Sequence, residues 1–125
     1  MPVEILIVDD APNIALSLEF LMKKEGFSVR SVGDGEEALK AVAEKVPDLI
    51  LLDVMMPKRN GYEVCQAIRA RAEWQTVRII MLTAKGREVE QERGLAMGAD
   101  DYVAKPFSTR DLVQKVRDML GLPTG

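Results

Sequence analysis

Five short apolar runs alternate with longer segments of helical spacing along the 125-residue chain. The short runs predict strands over Val3–Val8, Ser28–Val32, Asp48–Asp53, Val77–Leu82 and Asp101–Ala104. Between them, apolar residues recur three or four positions apart, as on the buried face of a helix. Strands that alternate with helices favour a parallel sheet covered by helices on both faces. The chain is therefore predicted to fold as a doubly wound α/β domain of the order (βα)5.

The boundaries of the predicted elements agree with this order. Candidate N-caps, each with an acidic residue three positions later, are Asp34, Asn60 and Ser108. Glycines typical of helix C-termini are Gly26, Gly98 and Gly121. The second predicted strand alternates polar and apolar residues, which indicates an edge position in the sheet. We assign residues 1–121 to one domain and residues 122–125 to a tail or the start of a linker.

The composition excludes several classes of function. The chain has no histidine and one cysteine, which excludes Ser-His-Asp and Cys-His catalysis, histidine-dependent metal sites and internal disulfides. The formal net charge of −3 gives no electrostatic case for direct binding of nucleic acid. The apolar runs are too short for membrane insertion, and the first residues contain no basic segment of a secretory signal. We therefore expect a cytoplasmic protein.

Polar residues stand at the carboxyl ends of four predicted strands. They are Asp9 and Asp10 after the first strand, Asp53 in the third, Thr83 after the fourth and Lys105 after the fifth. Ligand sites in parallel sheets lie beyond these ends, at the point where the strand order reverses. If the first and third strands flank that point, the three carboxylates converge there with the hydroxyl and the lysine nearby. Carboxylates that close repel one another, and Mg²⁺, which prefers oxygen ligands, would compensate them.

Four segments carry a resemblance to a known family: ILIVDD, DLILLDVMMP, IIMLTA and GADDYVAKPF. Together they resemble the receiver domain of two-component response regulators, including those of the chemotaxis-regulator type. The resemblance covers about residues 3 to 120, with the motif positions in order along the chain. It implies a flavodoxin-like sheet with the strand order 2-1-3-4-5.

The resemblance implies a role for each residue at the strand ends. Asp53 resembles the phosphoacceptor, and Asp10 and Asp53 resemble the direct Mg²⁺ ligands, with Asp9 acting largely through water. The backbone carbonyl of Met55 would complete the protein's share of ligands. Thr83 and Lys105 resemble the groups that contact the phosphoryl oxygens after transfer, and the Lys105–Pro106 bond is expected to be cis. Thr83 and Tyr102 occupy the switch positions of the family.

The resemblance also implies partners and a lifetime for the phosphorylated state. The donor would be a phosphohistidine on a sensor histidine kinase or a histidine phosphotransfer protein. Phosphorylation would alter the surface of the fourth helix, fifth strand and fifth helix, about Arg87 to Leu120, which would bind an unidentified output partner or a second copy of the chain. Met55 and Lys85 resemble positions at the rim of the site and predict slow self-dephosphorylation rather than enzymatic turnover.

Three other interpretations fit parts of the pattern. A flavodoxin-like electron carrier would share the fold, but DDAPN after the first strand would repel a flavin phosphate. An aspartate-nucleophile phosphatase commonly has a second Asp two residues after the nucleophile, where this chain has Met55. A phosphorylation-independent interaction module would not require the five motif residues at the strand ends, which are Asp9, Asp10, Asp53, Thr83 and Lys105. Of the remaining residues, Cys65 is predicted to be at least half-buried, and Trp74 to be a surface-anchored loop residue.

Overall fold

Five strands form one parallel sheet: β1 (Glu4–Val8), β2 (Ser28–Val32), β3 (Leu49–Asp53), β4 (Arg78–Ala84) and β5 (Asp101–Lys105). Their order is β2-β1-β3-β4-β5, which confirms the predicted flavodoxin-like topology and the edge position of β2. This computed structural model describes residues 3–56, 60–84, 92–93 and 95–123. Because β1 and β3 are neighbours with Val8 opposite Leu52, the residues that follow both strands emerge side by side.

The helices described in these ranges are α1 (Pro12–Lys24), α2 (Gly35–Glu44), α3 (Gly61–Arg69) and α4 (Thr109–Met119). The predicted N-caps are confirmed, since Asp34, Asn60 and Ser108 each accept a hydrogen bond from the backbone N–H three residues later. Asn60 and Glu63 form a full capping box. The α4 helix corresponds to the fifth predicted helix. Of the fourth predicted helix, residues 92, 93, 95 and 96 are helical, and most of the rest lies outside the described residues.

Two apolar layers enclose the sheet. In β3 the side chains of Ile50 and Leu52 belong to the layer beneath α2 and α3. The alternate residues Leu49 and Leu51 belong to the layer beneath α1 and α4. A strand covered on both faces needs a continuous apolar run, which is why the sequence of β3 does not alternate. Among the described helices, none is both long and apolar enough to cross a membrane.

The prediction for Trp74 is wrong. Trp74 ends a short 3₁₀ helix, Ala72–Trp74, and only 6% of its surface is exposed. Its ring belongs to the apolar layer of α2 and α3, and the guanidinium of Arg71 lies 4.5 Å from the ring centroid. The polar neighbours in the sequence indicate a loop, but the turn directs the ring inward. Cys65 is fully buried, as predicted, and burial raises the pKa of its thiol to about 11.

Arg69 joins the end of α3 to the turn that precedes β5. Its Nε donates to the carbonyl of Gly98 at 2.8 Å, and its Nη2 donates to Asp100 Oδ2 at 2.8 Å. The same Asp100 oxygen accepts a hydrogen bond from the N–H of Ile79 at the start of β4. The side chain of Arg69 is 18% exposed and that of Asp100 is 26% exposed, so these bonds are only partly shielded from solvent. Arg69 therefore holds three elements together at the amino-terminal edge of the sheet.

We predict that Arg69→Met lowers the free energy of unfolding by about 1–3 kcal/mol, because Asp100 and the Gly98 carbonyl lose a charged donor in a partly shielded place. Urea unfolding measures the loss. Arg71→Met is the matched control, since Arg71 pairs with Glu73 on the exposed surface and should cost clearly less. Equal losses in the two variants would contradict the assignment of Arg69 as the connecting residue.

Candidate functional site

Three carboxylates meet at the carboxyl edge of the sheet. Asp9 and Asp10 follow β1, and Asp53 is the last residue of β3. One carboxylate oxygen from each lies within 4.8 Å of the others. Asp9 and Asp53 are buried, with 2% and 7% of their surface exposed, whereas Asp10 is exposed. The residues that the sequence places at neighbouring strand ends are therefore close enough to share one cation.

Backbone hydrogen bonds orient the two buried carboxylates. The N–H of Ala11 donates to Asp9 Oδ1 at 2.9 Å, and the N–H of Met55 donates to Asp53 Oδ1 at 3.3 Å. In each case the donor is the backbone N–H of the residue two positions after the aspartate, where the chain turns away from the strand. The turns after β1 and β3 thus set the direction in which both carboxylates point.

Lys105 reaches the same cluster from the end of β5. Its Nζ lies 3.1 Å from Asp9 Oδ2 and 3.4 Å from Asp53 Oδ1. The ammonium partly offsets the repulsion between two buried carboxylates. The Lys105–Pro106 bond is cis, as predicted. The structure therefore brings Lys105 to the acidic residues, although they lie far apart in the sequence.

The surroundings of Asp53 stabilise its protonated form relative to an ordinary carboxyl group in water. Burial raises the pKa of Asp53 to about 6; the neighbouring Asp9 adds to the rise, while Lys105 and the Met55 N–H oppose it. One lysine therefore does not fully compensate the cluster. The atoms with which the cluster could bind a metal are all oxygens, two from buried carboxylates and one from an exposed carboxylate. Oxygen ligands of this kind suit Mg²⁺.

Thr83 lies in β4, beside the end of β5. It is 1% exposed, and its Oγ1 has no hydrogen-bond partner among the described residues. Tyr102 pairs with Met81 in the β4–β5 register, and it packs against the same apolar layer that contains Met81. Thr83 follows Met81 by two residues and so points to the same face of the sheet. Thr83 and Tyr102 are therefore diagonal neighbours across the two strands. An aromatic side chain can span the distance between such neighbours.

A groove of about 660 Å³ opens beside Asp53. Its walls come from α1, from the turn after β3 and from the residues after β5, and they include Ile14, Met55, Lys105, Pro106 and Phe107. Met55, one of the two predicted rim residues, lines this groove and is 71% exposed. Lys85, the other predicted rim residue, lies outside the described residues.

The sequence analysis did not identify Gly61 as part of this site. Gly61 is the first residue of α3 and donates its N–H to the carbonyl of Val54 at 2.9 Å. A Cβ at this position would lie 2.5 Å from the carbonyl oxygen of Asp53. In the sequence the only signal is a glycine directly after the N-cap Asn60, and it does not show which backbone lies opposite.

Comparison with known proteins yields one family. The model of the response regulator receiver domain matches residues 5–117. A candidate response regulator from Chloroflexus aurantiacus J-10-fl is 38% identical over 97% of this chain and 99% of its own, with a TM-score of 0.94. The chemotaxis response regulator CheY4 of Vibrio cholerae is 28% identical over 95% and 99% of the two chains, with a TM-score of 0.90.

A third similar structure bears on the acidic cluster. It is the receiver domain of the sensor histidine kinase PA1611 from Pseudomonas aeruginosa PAO1, with a magnesium ion coordinated in its active-site cleft. It is 33% identical over 97% of this chain and 99% of its own, with a TM-score of 0.89.

The raised pKa of Asp53 predicts a pH-dependent stability in metal-free protein. Between about pH 4 and 6 the folded state keeps a proton that the unfolded state, with its ordinary pKa of 3.8, has lost. Stability should therefore fall as pH rises through this window. Asp53→Asn should be more stable than wild type by about 2 kcal/mol at pH 8, with the gap closing towards pH 4.

Urea unfolding in EDTA measures this gap. Asp118→Asn, which removes an exposed carboxylate on α4, is the control and should show no such pH-dependent gain. A gap between Asp53→Asn and wild type that stays constant from pH 4 to 8 would contradict the assignment.

Proposed function

Since the chain belongs to the response regulator receiver domain family, we propose that Asp53 accepts a phosphoryl group from a phosphohistidine on a partner protein. An oxygen of Asp53 would attack phosphorus while the bond from phosphorus to the donor nitrogen breaks. The observation that carries the proposal is the position of Asp53, at the end of a buried strand, beside a groove and 3.4 Å from Lys105 Nζ. Receiver domains are signalling modules and not turnover enzymes.

The cluster would hold Mg²⁺ through Asp10 and Asp53, with Asp9 acting largely through water and the carbonyl of Met55 completing the set. Bound Mg²⁺ supplies positive charge that stabilises the phosphoryl oxygens during transfer. Asp9 keeps its orientation through the Ala11 N–H, and Asp53 through the Met55 N–H. Lys105 would exchange its contact with Asp53 for one with a phosphoryl oxygen. The position of its Nζ beside both carboxylates supports this role.

Signal output would follow from Thr83 and Tyr102. The Thr83 hydroxyl would bond a phosphoryl oxygen, and Tyr102 would then fill the volume that Thr83 vacates. The surface formed by the fourth predicted helix, β5 and α4 would change and alter binding to an output partner or a second copy. A sensor histidine kinase or histidine phosphotransfer protein in the cytoplasm would supply the phosphoryl group. Residues 1–121 would form this domain, with residues 122–125 as a tail or linker.

The phosphorylated state is proposed to decay slowly. Met55 stands at the rim, where its thioether offers no strong donor or acceptor to orient an attacking water. Lys85, the second rim position by resemblance, would shield the phosphoryl oxygens. These two side chains would make self-dephosphorylation slower than a polar amide and a carboxylate in their places would.

The direct test is phosphorylation with acetyl phosphate and Mg²⁺, followed by intact mass and peptide mapping. We predict one phosphoryl group on Asp53 of the wild type and none at that position in Asp53→Asn. Asp10→Ala should lose most of the Mg²⁺-dependent labelling, because it removes an exposed ligand and leaves Lys105 and Asp9 in place. Asp118→Asn should label like wild type. Labelling of residue 53 in Asp53→Asn, or full labelling of Asp10→Ala, would contradict the assignment.

A second experiment isolates the hydroxyl of Thr83. Thr83→Val should leave the free protein as stable as wild type or more stable by about 1 kcal/mol, because the hydroxyl that it removes has no partner among the described residues. The same variant should bind beryllofluoride, a phosphoryl mimic, about tenfold more weakly in the presence of Mg²⁺. Thr76→Val, on the exposed surface, is the control. Unchanged beryllofluoride affinity would show that the hydroxyl does not contact the phosphoryl group.

A further inference from the structure

The first residue of α3 lies directly against the backbone of the phosphoacceptor. A Cβ on Gly61 would be 2.5 Å from the carbonyl oxygen of Asp53 and 2.9 Å from Cα of Val54. Real Cβ atoms essentially never approach other atoms within 3.0 Å, so one of the two backbones would have to move. Both contacts are with backbone atoms, which cannot rotate away as the end of a flexible side chain can.

Glycine is required here by proximity and not by conformation. Gly61 is the N-terminal residue of a regular helix, and its φ is outside the left-handed region where a side chain is itself strained. Its N–H donates to Val54 O at 2.9 Å, which holds the helix close to the strand end. The capping box of Asn60 and Glu63 fixes the first turn of α3 in this position, close to the end of β3.

The short segment 53–55 is therefore held from two sides. On one side the N–H of Val54 donates to the carbonyl of Leu82 in β4 at 3.2 Å, and on the other side the carbonyl of Val54 accepts from Gly61. The same segment carries the Asp53 carboxylate and the N–H of Met55 that orients it. If a methyl group added at residue 61 displaced α3, the displacement would reach both the Asp53 carboxylate and the Met55 N–H.

We propose that Gly61 is a positioning residue, whose missing side chain sets the place of segment 53–55 and thereby the affinity of the acidic cluster for Mg²⁺ and for a phosphoryl mimic. This inference rests on the proposed function, since it assumes that Asp53 and the carbonyl of Met55 are ligands. Gly61 touches neither ion nor phosphoryl group. It acts through the backbone that carries those ligands, as residues that support metal ligands do in general.

The test compares Gly61→Ala with Gly33→Ala, whose added Cβ would have no heavy atom within 4 Å and whose φ is also outside the left-handed region. Mg²⁺ affinity is measured by titration of amide NMR shifts, at a temperature where both variants are folded. Gly61→Ala should bind Mg²⁺ about tenfold more weakly than wild type does. Its loss of affinity for beryllofluoride in the presence of Mg²⁺ should be larger than this. The amide shifts of residues 53–55 should also differ from wild type before Mg²⁺ is added. Gly33→Ala should match wild type in all three measurements.

Asn60→Ala covers the case in which Gly61→Ala does not fold. It removes the hydrogen bond that seats the first turn of α3 without adding an atom at residue 61, and it should weaken Mg²⁺ binding in the same direction. Wild-type Mg²⁺ affinity in a folded Gly61→Ala overturns the inference, as does wild-type affinity in Asn60→Ala if Gly61→Ala is unfolded. A wild-type protein that does not bind Mg²⁺ at the cluster overturns the proposed function and this inference together, so the two failures are distinguishable.

Discussion

The ion pairs of Lys105 with Asp9 and Asp53 are the interaction on which the site depends. Two buried carboxylates at neighbouring strand ends would be costly without an opposite charge, and the ammonium lies 3.1 and 3.4 Å from them. The compensation is incomplete, because the pKa of Asp53 remains raised. An incompletely compensated acidic cluster retains an electrostatic preference for a further cation. The same residual negative charge that lowers the stability of the fold therefore favours binding of a cation.

The sheet order makes this arrangement possible. With β3 at the centre, β1 and β4 supply neighbours on both sides, and β5 adds Lys105 at the edge. The apolar layers on the two faces exclude water from the strands, while the carboxyl edge stays open to the groove beside Asp53. The strands are thus rigid supports, and the turns that follow them carry the chemistry.

The strands, the helices and the strand-end residues were predicted from local patterns, whereas the order of the strands in the sheet was implied by the family resemblance. Apolar runs identify β3 and β4, and alternation identifies β2 as an edge. Trp74 and Gly61 could not be assigned in this way. The burial of the indole depends on the path of a short turn, and the need for glycine depends on the backbone opposite, so both are tertiary effects that local patterns do not encode.

Trp74 is the only tryptophan of the chain. It precedes β4 and packs beneath Arg71 in the α2 and α3 layer, at the edge of the sheet opposite to Asp53. Its fluorescence therefore reports the integrity of the core at that edge, at a distance from the acidic cluster. The protein carries an intrinsic optical probe that can follow global unfolding while remaining largely insensitive to ions bound at the other end.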